Sequence, residues 1–125
     1  MKILVVDDSV LDRKLLIRIL MKAEITQEVL QAQDGEEALE ILARNYQDIC
    51  LVLLDWQMPK MSGIELMTGM SKIPLMASLP VVMVTASGSE DNKKLAQEVN
   101  PNLAGYIVKP YKPEELVKAV KPHLK

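Results

Sequence analysis

The stretch VLLDWQMPKMSG, residues 52–63, closes an apolar run on a carboxylate and then breaks at once into proline and glycine. A carboxylate at the tip of a buried strand is costly unless something pairs with it. Asp55 therefore either opens the turn before Pro59 or serves a chemistry that the rest of the chain must supply. A helix signal follows directly, because Ser62 stands three residues before Glu65, the spacing of a capping box.

The same alternation repeats on both sides of this segment. Short apolar runs occur at 2–6 (KILVV), 28–32 (EVLQA), 49–54 (ICLVLL), 80–84 (PVVMV) and 104–108 (AGYIV). Helical periods separate them: Leu11, Leu15 and Ile19, widened by Leu16 and Leu20; Ala38, Leu39 and Leu42; Ile64, Met67 and Met70; Leu95 and Val99; Leu116, Val120 and Leu124. Pro113, with Glu114 and Glu115 behind it, opens the last helix, and Pro122 frays or ends it. The first, third and fourth runs are apolar along most of their length, as strands are when helices cover both sheet faces. Together these features predict an α/β fold: a flavodoxin-like (βα)5 doubly wound parallel five-stranded sheet, order 2-1-3-4-5. No linker, repeat or low-complexity stretch interrupts the pattern, so residues 1–125 read as a single domain with no second one attached.

Composition narrows the function classes. A chain of 125 residues can bury one good core, and 49% hydrophobic with 26% charged content is ordinary for a globular protein. The net charge of −2, from 15 basic and 17 acidic residues, gives no reason to expect direct binding to nucleic acid or an anionic membrane. No segment approaches the ~20 apolar residues needed to span a bilayer, and the start, MKILVVDDS, is too short in apolar residues for a signal peptide. Cys50, the sole cysteine, excludes an intramolecular disulfide and reads as a small buried hydrophobe. A cytoplasmic protein is the expectation.

In a doubly wound sheet, ligands bind beyond the carboxyl ends of the strands, at the switch point between strands 1 and 3. Strand 1 ends in Asp7-Asp8, strand 3 in Asp55, strand 4 in Thr85 and strand 5 in Lys109, while Asp34-Gly35 after strand 2 reads as a turn. Each residue alone has a plain alternative: an Asp can cap the first helix, and a Thr or Lys at a strand end can simply be solvated. Together they are more specific. Neighbouring carboxylates repel, a hard divalent cation relieves the repulsion, and Mg²⁺ suits one or two carboxylates plus water and phosphate oxygens. Three acids, one Mg²⁺ and Lys109 sum to near neutrality, which leaves the cations free to face an incoming phosphoryl group. This is a set for in-line phosphoryl transfer, with a carboxylate as the nucleophile and an aspartyl phosphate as the product.

At these residues the chain resembles the receiver domain of two-component response regulators, of the single-domain chemotaxis kind. The resemblance spans the whole chain and rests on ILVVDDS, LVLLDWQMPKMSGIEL, VVMVTA and YIVKPY, in that order. It implies that Asp55 is the phosphoacceptor, with Asp8 a direct Mg²⁺ ligand and Asp7 a ligand largely through water. Asp55 itself and the backbone carbonyl of Gln57 would complete the protein ligands, with Mn²⁺ as a substitute metal. Lys109 would contact the phosphoryl group, and its bond to Pro110 would be cis. Thr85 would move toward the phosphoryl oxygen and Tyr106 follow it inward, reshaping the surface of the fourth helix, fifth strand and fifth helix. Ala86 would leave access to the acceptor, while Gln57 and Ser87 would tune attack by water.

The resemblance further implies a histidine kinase or phosphotransfer protein as donor, an output protein that the sequence does not identify, and self-catalysed dephosphorylation. Such a chain is a signalling switch rather than a conventional enzyme, a monomer or weak dimer, with no direct nucleic-acid contact and no membrane insertion. Departures from the family pattern are EVNPNLAGY ahead of strand 5, the long segment SKIPLMASLP, and Tyr111 where Phe is frequent; none touches the catalytic set.

Three other functional classes compete. An excised receiver of a larger regulator or hybrid kinase would share every motif. A phosphatase acting on an external substrate would want a second acid near the nucleophile, and Gln57 stands two residues on instead. An interaction module without phosphorylation has no need of the five-residue set. Met58, Met61, Met67, Met70 and Met76 read as core packing or as an adaptable docking patch. His123 reads as an exposed residue, and Lys118, Lys121 and Lys125 as a solvated face.

Overall fold

A computed structural model describes residues 1–125. Five strands alternate with helices: β1 (Lys2–Val6), α1 (Val10–Lys22), β2 (Glu28–Ala32), α2 (Gly35–Asn45), β3 (Ile49–Leu54), α3 (Gly63–Ser71), α4 (Pro74–Ala77), β4 (Val81–Thr85), α5 (Glu90–Val99), β5 (Gly105–Val108) and α6 (Pro113–Val120). All neighbouring strands run parallel in the order β2-β1-β3-β4-β5, the flavodoxin-like topology expected.

Side chains alternate across each strand, so one sheet feeds two cores. Leu4, Val6, Val52, Leu54 and Met83 face Leu42, Leu66 and Ala96 of α2, α3 and α5. Ile3, Val5, Leu51, Leu53 and Val84 face Leu16, Leu20, Leu116 and Val120 of α1 and α6. Every residue of β3 is buried, which is why ICLVLL carries no polar position until Asp55. Each fully buried Leu or Ile contributes about 1.5–3 kcal/mol relative to exposure.

Helix starts are set by side-chain caps. Ser9 Oγ accepts from Asp12 N–H, Asp34 from Glu37 N–H and Ser89 Oγ from Asn92 N–H, while Ser62 and Glu65 form the full capping box. Asp34-Gly35 is thus the N-terminus of α2, and Asp34 is buried there rather than sitting in an open turn.

The structure corrects several finer expectations. In α1 the buried stripe is Leu16 and Leu20; Leu11 and Leu15 are 74% and 52% exposed, because the helix is rotated toward the i+1 positions of the pattern. In α5 the buried residue is Ala96 and Leu95 is exposed. SKIPLMASLP contains the short helix α4, so the fourth and fifth helices of the sequence pattern are α5 and α6. Beyond α6 the chain tightens into a 3-10 turn at Lys121–His123 around Pro122, and His123 is half-buried rather than exposed. Met67, Met70 and Met76 are core residues, with Met58 and Met61 packed against them. Cys50 is buried and free. No helix is long and apolar enough to cross a membrane.

Candidate functional site

Four strand ends converge on one rim, as the parallel register requires. The Asp7 N–H donates to Ala32 O at 3.0 Å, Asp55 N–H to Val6 O at 2.9 Å and Lys109 N–H to Thr85 O at 2.9 Å. The sheet's own ladder therefore extends through the three charged residues and fixes their backbones. Behind Asp55, the loop closes by Gly63 N–H donating to Trp56 O at 2.8 Å. Any side chain at position 63 would place its Cβ 2.2 Å from Asp55 O, so only glycine lets α3 start this close to the strand end.

The side chains meet around one ammonium. Lys109 Nζ stands 2.6 Å from Asp7 Oδ2, 2.8 Å from Asp12 Oδ2 and 3.3 Å from Asp55 Oδ2. The other oxygen of Asp55 accepts from Trp56 N–H at 2.7 Å, and that of Asp7 from Ser9 N–H at 2.9 Å. Asp7, Asp8 and Asp55 offer carboxylate oxygens within 4.8 Å of one another, a spacing that one divalent cation spans. Asp8 is exposed, while Asp7 is buried and the Asp55 side chain is 12% exposed.

The electrostatics follow from this packing. Burial pushes the Asp7 carboxyl above the usual aspartate range, and the Asp55 charge adds to the rise, while bonds from Lys109 and Ser9 oppose it. For Lys109 burial works against the charged form, but hydrogen bonds to Asp12 and Asp7 and the Asp55 charge outweigh it, holding the ammonium above the ordinary lysine range.

A cleft of about 500 Å³ opens over this cluster, lined by Asp8, Asp12, Asp55, Gln57, Thr85 and Lys109 among others. Thr85 is buried and its Oγ1 accepts from Ser87 N–H at 3.2 Å. Ala86 and Gln57 are exposed in the wall of the cleft. Tyr106 donates its hydroxyl to Ser87 O, and Lys93 Nζ lies 5.9 Å from its ring centroid. Burial, with Asp55 behind it, raises the Tyr106 hydroxyl pKa. The Lys109–Pro110 peptide is cis. Every site residue singled out in the sequence thus lies at or beside this rim.

Two participants escaped the sequence. Asp12 shares Lys109, and Arg13 donates from its guanidinium to Asp7 O. An acid in a first helical turn normally just complements the helix dipole, so nothing in the pattern marks Asp12. Its signal is positional: it stands in the first turn of α1, which starts at Val10 directly beyond the end of β1 and so lies beside the same rim.

A model of the response regulator receiver domain matches residues 3–121. This chain belongs to the response regulator receiver family. It is 38% identical to the phosphate regulon transcriptional regulatory protein PhoB of Pseudomonas aeruginosa over 119 residues, 95% of this chain but 49% of that protein. To a chemotaxis protein CheY homolog of Campylobacter jejuni it is 35% identical over 116 residues, 93% of this chain and 86% of that one. The chain therefore spans about half the length of PhoB and most of the chemotaxis protein.

Solved structures agree. CheY4 of Vibrio cholerae matches with a TM-score of 0.84 at 31% identity, over 98% of both chains. The CheX-CheY complex of Borrelia burgdorferi with BeF3 and Mg²⁺ matches with a TM-score of 0.86 at 30% identity, over 98% of this chain and 87% of that one. As a receiver domain, the protein fits the phosphoacceptor function of two-component signalling, and its acidic cluster has the donor set for Mg²⁺.

Proposed function

We propose that Asp55 is the phosphoacceptor of this receiver domain, and that residues 1–125 act as one receiver unit. The observation that carries the assignment is the position of Asp55: one oxygen on Trp56 N–H, the other on Lys109, at the open edge of the acidic cleft. The donor is a phosphohistidine of a histidine kinase or phosphotransfer protein. An Asp55 oxygen forms the bond to phosphorus as the phosphorus–nitrogen bond breaks, and the electron pair leaves on the imidazole nitrogen, which takes a proton from water. Lys109 neutralises charge on the transferring group.

Asp8, Asp55 and the Gln57 carbonyl would hold Mg²⁺, or Mn²⁺ in its place, with Asp7 reaching it largely through water, and the cation would supply neutralising charge for the phosphoryl oxygens. Donation from the Thr85 hydroxyl to a phosphoryl oxygen draws Thr85 toward Asp55 and gives Tyr106 the inward space. The faces of α5, β5 and α6 then change for an output protein, while attack by water past Gln57 and Ser87 resets the switch. The CheX-CheY complex is a case of a similar chain held by another protein. A cytoplasmic location and a monomer or weak dimer complete this reading, in keeping with the free buried Cys50.

Trp56 makes the test simple, since its amide is bonded to Asp55. Millimolar Mg²⁺ should change its fluorescence, and acetyl phosphate with Mg²⁺ should change it further. Intact-mass analysis should show one hydroxylamine-labile phosphoryl group, absent in Asp55→Asn. No Mg²⁺-dependent adduct would overturn the acceptor assignment.

A further inference from the structure

We infer that Asp12 is a positioning residue for phosphoryl transfer: it holds Lys109 in the unphosphorylated protein and competes with the phosphoryl group for that ammonium. The inference rests on Asp55 being the acceptor.

An ammonium has three N–H donors, and here all three are spent, on Asp7, Asp12 and Asp55. A phosphoryl group on Asp55 brings a charge of about −2 and further acceptor oxygens. Lys109 can serve them only by releasing a carboxylate. The side chains of Asp7 and Asp55 are 8% and 12% exposed, whereas that of Asp12 is 42% exposed. Water can take over the bonds of Asp12 at little cost, while a released Asp7 would be left charged in a buried place. Asp12 is the partner that Lys109 gives up.

Asp12 is also held for this role. Its backbone N–H is fixed by Ser9 Oγ at 3.2 Å, which sets the first turn of α1 against the rim. It stands outside the group of carboxylates spaced for a shared metal, so the pull it exerts falls on Lys109. Its negative charge further faces the cleft through which an anionic donor must arrive.

The test is the initial rate of adduct formation on the full chain with acetyl phosphate and saturating Mg²⁺. Asp12→Asn keeps the shape and removes the charge; it should react faster by about threefold or more, the order expected for one partly solvated charge at this distance. Asp12→Glu, which restores the carboxylate, should return the rate toward wild type, and melting temperatures should be alike. A wild-type adduct that forms as fast as, or faster than, the Asp12→Asn adduct overturns the assignment, as does an equal gain in Asp12→Glu. No adduct in the wild type would instead remove the acceptor reading and this one with it.

Discussion

Lys109 Nζ lies 2.6 Å from Asp7 Oδ2 although 102 positions separate the two residues in the chain. The contact joins the end of the last strand to the end of the first across the top of β3 and β4. One cation thereby neutralises acids that would otherwise destabilise the rim.

Removing that cation exposes the repulsion. Lys109→Met should lower unfolding stability by about 1–3 kcal/mol in chelator, since it leaves partly buried carboxylates unpaired. Millimolar Mg²⁺ should recover much of the loss by replacing the positive charge, measured by urea unfolding with and without the metal. An equal loss in both conditions would point to side-chain packing instead. Because the ammonium is held above its ordinary range, its contribution persists below that range and is lost only as pH rises through the folded value.

Asp7 runs the other way. Its carboxyl is raised in the fold, first by burial, so the folded state takes up a proton before the unfolded chain does. Its contribution to stability is present in acid and lost as pH rises through the folded value, leaving a cost near neutrality. In chelator, Asp7→Asn should therefore be more stable than wild type at neutral pH, and the gap should close toward the ordinary aspartate range. A gap that widens on acidification would reverse the sign.

Mg²⁺ should raise the melting temperature of the wild type in a saturable way, because a cation bound only by the folded rim stabilises it by mass action. Asp8 is exposed, so Asp8→Asn should fold normally and lose most of that shift. Thermal denaturation across a Mg²⁺ series, with chelator as the reversal, decides it.

Two glycines of α3 make a matched pair. At Gly63 a methyl group would meet Asp55 O at 2.2 Å, whereas at Gly69 nothing lies within 4 Å. Gly63→Ala should cost about 1–3 kcal/mol and reduce the adduct, since the Asp55–Trp56 backbone must move. Gly69→Ala, in a helix interior, should gain about 0.5–1 kcal/mol and leave the adduct unchanged. Chemical denaturation and intact mass on both variants provide the comparison.

Much of the architecture was legible because local chemistry and global topology agree. Parallel strands buried on both faces must be apolar throughout, so ICLVLL and PVVMV announce themselves, and Ser62 with Glu65 marks the start of α3. Strand-end residues are legible for the same reason: topology alone sends Asp7, Asp8, Asp55, Thr85 and Lys109 to one rim. The α1 stripe was harder. Two apolar rows overlap on that helix, and only docking against the sheet chose Leu16 and Leu20 over Leu11 and Leu15. The short α4 escaped because one Pro-initiated turn has no periodicity to read.

By itself, the sequence of this protein determines the alternation of elements, the parallel sheet and the strand-end residues of its acidic rim, since these depend on hydrophobic period and strand order. The tertiary structure alone decided how the rim's charge is shared. Which carboxylates reach Lys109, and how much water each keeps, depends on ångström-scale placement between residues distant in sequence. Asp12 entered the site by that route: its place in the first turn of α1 says only that it complements the helix dipole, and its 2.8 Å contact with Lys109 places it at the centre of the charge balance.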